Sequence, residues 1–318
     1  MRYQKPPLTI PEQLKQLKLR GLVLDDEQRV ADYFSTIGYF RLSSYFIPFA
    51  DTSEGAALHT FLPDTRFDDV LSLYVFDRQL RLLIMEALER IEVAVRACWV
   101  NELSIATSDS HAYMSSEHFR SYPQHIKQLN KAATDLESSN EVFVTHYKRK
   151  YQQPELAPTW AMAETLTFGA LSKWYSNTRD NKIKKCVADL FSIPTVEVMD
   201  GVLEGLTILR NVCAHHSRCW NRRYIKRMPY IKRLSTVLNI QVQMNKNGEE
   251  STQVDGHLYN SLVVIAHMMK TIQPNSLWDK RLADHINQLS QLQQKAMGFP
   301  EQWQKLEFWQ VAAKGGDS

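Results

Sequence analysis

An all-α fold is what this sequence predicts, and three observations lead to it. Glycine and proline are sparse, at 11 and 12 of 318 residues, so few positions favour turns. Residues that form helices well, such as Leu, Ala, Gln, Glu, Lys and Arg, are abundant. Apolar residues recur at i, i+3 and i+4 spacing in most segments. The length exceeds that of a typical single domain, so we expect one large helical unit or several coupled ones.

The N-terminal helical region is expected to cover residues 1–65. A first helix begins after Thr9, and Asp25 or Asp26 caps a second one. An aromatic cluster follows at residues 39–49 and predicts a short helix that anchors the core, because aromatic side chains mainly supply buried area.

A core region, residues 66–233, begins with the strongest helical signal of the chain. Apolar residues from Phe67 to Leu103 form one stripe, and Glu86 with Arg90 and Glu92 with Arg96 are i, i+4 ion pairs that support a long helix. Residues 160–175 predict another helix, and so do residues 182–191. Thr195 is placed to cap a helix that continues through Leu209 into Arg210.

The last region, residues 234–318, begins with a change of pattern. Loosely alternating apolar residues within 236–256, with Asn247-Gly248 among them, are compatible with a small β-hairpin insertion or with a loop. Helices are expected again at 259–271, 278–294 and 301–313, packed on the core.

The segment from Arg210 to His216 carries the residue types that metal-independent RNA cleavage needs. A histidine can move protons at the ribose 2′-hydroxyl and at the leaving oxygen, because its pKa lies near neutrality. An arginine can hold the negative phosphate, because it stays charged and presents a planar fork. Arg210 and His215 supply both types, and Asn211 and His216 lie beside them.

The geometry of this segment depends on whether the helix continues. On an unbroken helix Asn211, His215, Arg218 and Arg222 share one face, whereas Arg210 and His215 lie about 140° apart. The arginine and the histidine then meet through side-chain reach, through a break in the helix or across a dimer.

Arg-x4-His spacing is weak evidence by itself, since Arg120 and His125 share it without the surrounding context. The context of Arg210 is a stretch from Gly205 to Gly248 that contains no Asp or Glu. Its basic residues predict a surface for an RNA backbone, although a net charge of +3 alone does not. The RNA-binding candidates are Arg218, Arg222, Arg223, Lys226 and Arg227.

The segment 210–222 resembles the RN-x-x-AHH-x-R-x-WNR signature of the AbiD/AbiF-like group of the Abi family of abortive-infection proteins, which belongs to the HEPN superfamily. Further resemblance lies at residues 5–8, 38–43, 76–81, 89–92, 164–172 and 297–300. The resemblance therefore covers nearly the whole chain, and residues 235–256 match least.

This resemblance implies a HEPN-like helical bundle with N-terminal and C-terminal extensions, and a homodimer that brings two Arg/His motifs to a shared cleft. It implies a toxic endoribonuclease of phage defence without a cofactor, in which Arg210 and His215 are the motif residues and Asn211 is their polar neighbour. His216 also satisfies the spacing, so the choice between the two histidines stays open. The alternative is a non-catalytic HEPN protein that binds or regulates RNA in a toxin–antitoxin-like manner.

Several features of the sequence have simpler interpretations. Zinc binding by Cys213, His215, His216 and Cys219 is disfavoured, because one helix does not wrap four ligands around an ion. The four cysteines are expected to be free thiols in a reducing compartment. With neither a signal-like N-terminus nor a long apolar run, we expect a cytoplasmic protein without a membrane partner.

Two kinds of side chain keep open roles at this stage. Glu164 is either a buried partner of a motif arginine or a surface acid. The tryptophans are expected in the core, although Trp220, beside the motif, is also placed to stack on a base. These tryptophans are Trp99, Trp160, Trp174 and Trp220.

Overall fold

Helices dominate the computed structural model, as the composition predicts. The structure describes residues 2, 4, 6–53, 60–244 and 250–310, with the backbone alone at 243, 244, 250 and 251. Its helices are α1 (Ile10–Leu19), α2 (Glu27–Thr36), α3 (Tyr39–Phe46), α4 (Phe67–Thr107), α5 (Tyr122–Ser138), α6 (Val142–Lys150), α7 (Thr159–Glu164), α8 (Phe168–Asn177), α9 (Asn181–Leu190), α10 (Val196–Ala214), α11 (Leu258–Ile272), α12 (Trp278–Ile286), α13 (Gln291–Ala296) and α14 (Glu307–Gln310).

Two strands, β1 (Ile240–Met244) and β2 (Glu250–Val254), form an antiparallel pair in which Ile240 lies opposite Val254. This pairing confirms the hairpin rather than the loop. The predicted turn at Asn247-Gly248 lies outside the described residues.

The chain forms two compact units, Met1–Leu80 and Arg81–Ser318. The division into regions 1–65, 66–233 and 234–318 stays a prediction. The described helices include none with both the length and the apolar character needed to cross a bilayer.

Local capping and aromatic packing build the first unit. The carboxylate of Asp26, rather than that of Asp25, caps α2 by accepting a hydrogen bond from the Arg29 amide at 2.9 Å. The predicted aromatic anchor is confirmed for Tyr45 and Phe46, which are buried, whereas Phe40 is exposed. The Tyr45 hydroxyl donates to Asp77 Oδ2 at 2.6 Å. Phe34 packs edge-on against Phe67, the first residue of α4.

The long helix α4 confirms the strongest sequence signal. Its apolar stripe is buried, and the i, i+4 ion pairs Glu86–Arg90 and Glu92–Arg96 form at 3.1 Å and 2.9 Å. Each pair joins neighbouring turns of the same face, so sequence spacing was enough to predict it.

In the second unit, α10 packs against α8, α9 and α11, and α11 is buried over most of its length. Segments after α10 also approach it closely. A Cβ atom at Gly205 would lie 2.9 Å from Met228 Cε, so the absence of a side chain there lets the later segment pack on the helix.

Two predicted helices are each broken into two, which corrects the sequence analysis. The helix expected at 160–175 is α7 and α8, because the Thr167 hydroxyl caps α8 by accepting from the Ala170 amide. The helix expected at 278–294 is α12 and α13, because Ser290 caps α13 with a capping box. Within the helix expected at 301–313, the described residues form a short 3-10 helix at Trp303–Lys305 and then α14, and residues 311–313 lie outside the described part.

The tryptophan prediction is right for three of its four residues. Trp99, Trp174 and Trp220 are buried, but Trp160 on α7 is 52% exposed.

Candidate active site

Helix α10 carries the Arg210–His216 segment to the protein surface. The predicted cap is confirmed, since the Thr195 hydroxyl accepts a hydrogen bond from the Val198 amide at 3.2 Å. The buried face of α10 is apolar up to Cys213, and this packing holds the end of the helix in place.

The helix ends at Ala214, within the motif. The His216 amide donates to the Cys213 carbonyl at 3.0 Å and the Ser217 amide donates to the Val212 carbonyl at 2.9 Å. These two bonds form a Schellman cap, with His216 at the left-handed position that glycine usually occupies, at φ +56°.

This helix end decides a geometry that the sequence left open. Asn211, His215, Arg218 and Arg222 do not share one helical face, because the last two follow the left-handed turn. The helix end lies between Arg210 and His215 in the sequence, and how these two side chains meet stays a prediction.

The motif side chains face solvent rather than a sealed core. Asn211, His215 and His216 are exposed, and Arg210 is half-buried. Arg210 Nη1 donates to Asn211 Oδ1 at 3.2 Å, so the amide orients the guanidinium. An incoming phosphate could therefore reach these side chains.

An acidic neighbour of Arg210 lies on α4. Burial raises the pKa of Glu92, while the positive charges of Arg96 and then Arg210 act on that carboxyl in the opposite direction. Glu164 does not pair with the motif arginine as one interpretation had it, since it contacts Arg96 at 3.1 Å and is largely exposed. Sequence analysis missed the proximity of Glu92 to Arg210, because nothing in the sequence pairs α4 with α10.

The residues after the helix end fold back into the core. Cys213 Sγ and Cys219 Sγ lie 3.5 Å apart and are both buried free thiols. Burial, with these two sulfurs nearby, raises the pKa of Tyr224. Trp220 is only 1% exposed, so its stacking on a base is excluded and its core role is confirmed. Arg81 makes a long contact, 3.5 Å, with the Ser217 carbonyl.

The predicted basic surface is only partly open. Arg222, Arg223 and Lys226 are exposed, whereas Arg218 and Arg227 are half-buried. Lys226 is also paired with Glu204 of α10. The stretch from Gly205 to Gly248 contains no Asp or Glu, but in the folded protein an acidic side chain still contacts one of its lysines.

The structure supports neither of the two alternative sites that the sequence offered, the Arg120/His125 pair and a zinc site. His125 is buried, stacks on Phe119 and contacts the Tyr113 carbonyl at 2.8 Å, so the second Arg-x4-His pair belongs to the core. Among the residues at 2, 4, 6–53, 60–244 and 250–310, no three His, Cys, Asp or Glu side chains form a metal-binding group. The zinc interpretation of Cys213 and its neighbours therefore gains no support.

The sequence profile of the Abi-like protein family matches residues 32–221, which include the second half of α2, all of α3 to α10 and the Arg210–His216 segment. The chain belongs to the Abi-like protein family. No curated protein and no solved structure gives a significant match to this Abi-like protein. The match ends at Asn221, one residue before Arg222, in the turn that follows the motif histidines.

Proposed function

We propose that this Abi-like protein is a HEPN-type, metal-independent endoribonuclease of bacterial abortive infection, which is toxic to the host when phage activates it. The observation that carries the proposal is the end of α10. There an arginine held by an asparagine, and two exposed histidines, lie together within the region that the family profile matches.

The chemistry proposed is a transesterification. The 2′-hydroxyl oxygen attacks the phosphorus while a histidine removes its proton, and the bond to the 5′-oxygen breaks as a proton is supplied to that oxygen. Arg210 stabilises the charge on the phosphate, and Asn211 holds Arg210 in position. His215 and His216 are both candidates for the proton transfers. The products would end in a 2′,3′-cyclic phosphate and a 5′-hydroxyl.

The backbone places the two histidines in different positions. His215 is the C-cap of α10, at φ −85° and ψ 11°, and His216 follows it in the left-handed region, at φ +56°. Their side chains therefore leave the chain in different directions, so one of them can take the proton while the other, or its equivalent in a second copy, gives one. A homodimer that shares the cleft is part of this proposal.

The test is cleavage of a labelled single-stranded RNA by purified protein in the presence of EDTA, with mass spectrometry of the new ends. We expect Arg210→Ala to lower the rate at least 100-fold, and replacement of the catalytic histidine by Ala to lower it by a similar factor. Arg120→Ala is the matched control, because it removes the arginine of the Arg-x4-His pair whose histidine is buried. Products that carry 3′-hydroxyl ends would contradict the mechanism.

A second candidate is RNA binding without cleavage, and the exposed cations Arg222 and Arg223 favour it. Both candidates predict RNA binding that weakens with salt, but only the nuclease predicts that Arg210→Ala abolishes cleavage while much of the affinity remains. Light scattering tests the dimer, and a strict monomer that still cleaves RNA would contradict the shared cleft.

A further inference from the structure

A groove of about 1020 Å³ opens beside the motif, between α5, α8 and α10. One face of α10 forms its wall from Glu197 to Asn211, through residues spaced at three and four positions. Asn211 is thus both the partner of Arg210 and a lining residue of this groove. A volume of this size is at the upper end of what small-ligand sites enclose.

The groove wall contains polar atoms that lack hydrogen-bond partners. Within the described residues, Gln128 Nε2, Asp200 Oδ1 and Thr207 Oγ1 are buried and unpaired. The other polar atoms of the first two are used, since Gln128 Oε1 accepts from Asn177 and Asp200 Oδ2 contacts Lys184 at 2.7 Å. Each of these two side chains is therefore fixed by one contact while its second polar atom has no hydrogen-bond partner, and a buried unpaired polar atom is costly unless something binds it.

Charge is divided between the two sides of the groove. The α10 side contributes Glu197, Asp200 and Glu204, and the opposite side contributes lysines from α5 and α8. Among the described residues Lys127 and Lys173 have no acidic partner, and both are exposed. Acceptors on one side and cations on the other suit a ligand with hydrogen-bond donors along one edge and anionic groups along the other.

A segment of single-stranded RNA has this distribution of groups. Each base presents donors and acceptors on its exposed edge, and the phosphates carry the negative charge. The partly exposed Ile208 adds apolar lining against which a base can pack. An RNA duplex does not offer unstacked bases to such a groove.

We infer that the α5–α8–α10 groove is a nucleobase subsite that holds a nucleotide next to the scissile phosphodiester. Thr207 with Gln128 and Asp200 contacts the base, and Lys127 and Lys173 contact phosphates. This inference rests on the proposed function for its link to cleavage, but the binding itself does not require catalysis.

The test measures binding of a fluorescein-labelled, unstructured 12-nucleotide RNA to the full chain carrying Arg210→Ala. We expect Lys127→Gln with Lys173→Gln to lower affinity roughly tenfold at 0.15 M salt, and to reduce the slope of log K against log salt by about 1.4, as two lost phosphate contacts require. The matched control is Lys280→Gln with Lys305→Gln, which removes two exposed lysines far along the chain and should change affinity less than twofold.

Thr207→Val separates base contacts from phosphate contacts, because it keeps the shape and removes one hydroxyl. We expect about a fivefold loss of affinity for the 12-mer, equivalent to one hydrogen bond, and none for an abasic 12-mer of equal charge. The inference would be overturned if the double variant at Lys127 and Lys173 and the control double variant lowered the affinity equally. It would also be overturned if Thr207→Val lowered the affinity equally for the ordinary and the abasic 12-mer.

The failure of this inference and of the nuclease proposal can be told apart. If the wild-type chain does not cleave RNA but the groove variants lose affinity as expected, the subsite stands and the nuclease falls. If the wild-type chain cleaves and the groove variants bind and cleave like it, the subsite alone is wrong.

Discussion

Replacing His216 by glycine and, separately, by alanine tests the cap that ends α10. His216 lies at φ +56°, where an L-residue is strained and glycine is not. Both variants lack the imidazole, so whatever that ring contributes is lost equally from each. The difference between their stabilities therefore reports the backbone alone.

The magnitude follows from two opposing terms. The left-handed region costs a residue with a Cβ about 1–2 kcal/mol. Glycine avoids this cost, but it lowers the free energy of unfolding by roughly 0.5–1 kcal/mol, because an unfolded chain with glycine has more conformational freedom to lose on folding. We expect the free energy of unfolding of His216→Gly to exceed that of His216→Ala by about 1 kcal/mol, which corresponds to a rise of roughly 2 °C in Tm.

Differential scanning calorimetry of the two purified variants checks this value. A His216→Gly variant that melts at or below the temperature of His216→Ala would refute the left-handed cap, and with it the helix end at Ala214. The same pair reports on chemistry. If His216 transfers protons, both variants lose RNA cleavage, and if His215 does so alone, both retain it despite their different stabilities.

Three other outcomes are expected from the second unit. Asp200→Asn should cost about 3 kcal/mol, because it removes the carboxylate charge that pairs with the fully buried Lys184 ammonium, and adding Lys184→Met should recover most of this in urea unfolding. Burial lowers the pKa of His267, so the folded state favours the neutral ring and stability should be lost as pH falls below about 6.5. The Tm of wild type should therefore drop more between pH 7.5 and 5.5 than that of His267→Asn, and equal drops would contradict this. Gly298→Ala should cost at least about 2 kcal/mol, because its φ is +86° and a Cβ would lie 2.8 Å from His257 Cβ; a variant as stable as wild type would show that the turn can relax.

Sequence analysis was most successful where the deciding contacts are local. The long helix α4, its Glu92–Arg96 pair and the cap of α10 by Thr195 each depend on residues within one or two turns. It failed where a cap competes with a continuing apolar pattern, as at Thr167 and Ser290. At Ala214 it left the end of the helix open, because a histidine occupies the left-handed position at which glycine usually indicates a helix end.

By itself, the sequence determined that this chain is helical and which segment carries the arginine, the asparagine and the two histidines. Both properties depend on residue types and short spacings, which can be interpreted without knowledge of contacts between distant parts of the chain. Only the tertiary structure decided that Glu92 lies near Arg210, that Trp220 is buried and that α5, α8 and α10 enclose a groove beside Asn211. Electrostatic and packing interactions act through space between helices far apart in sequence, so no pattern along the chain contains them.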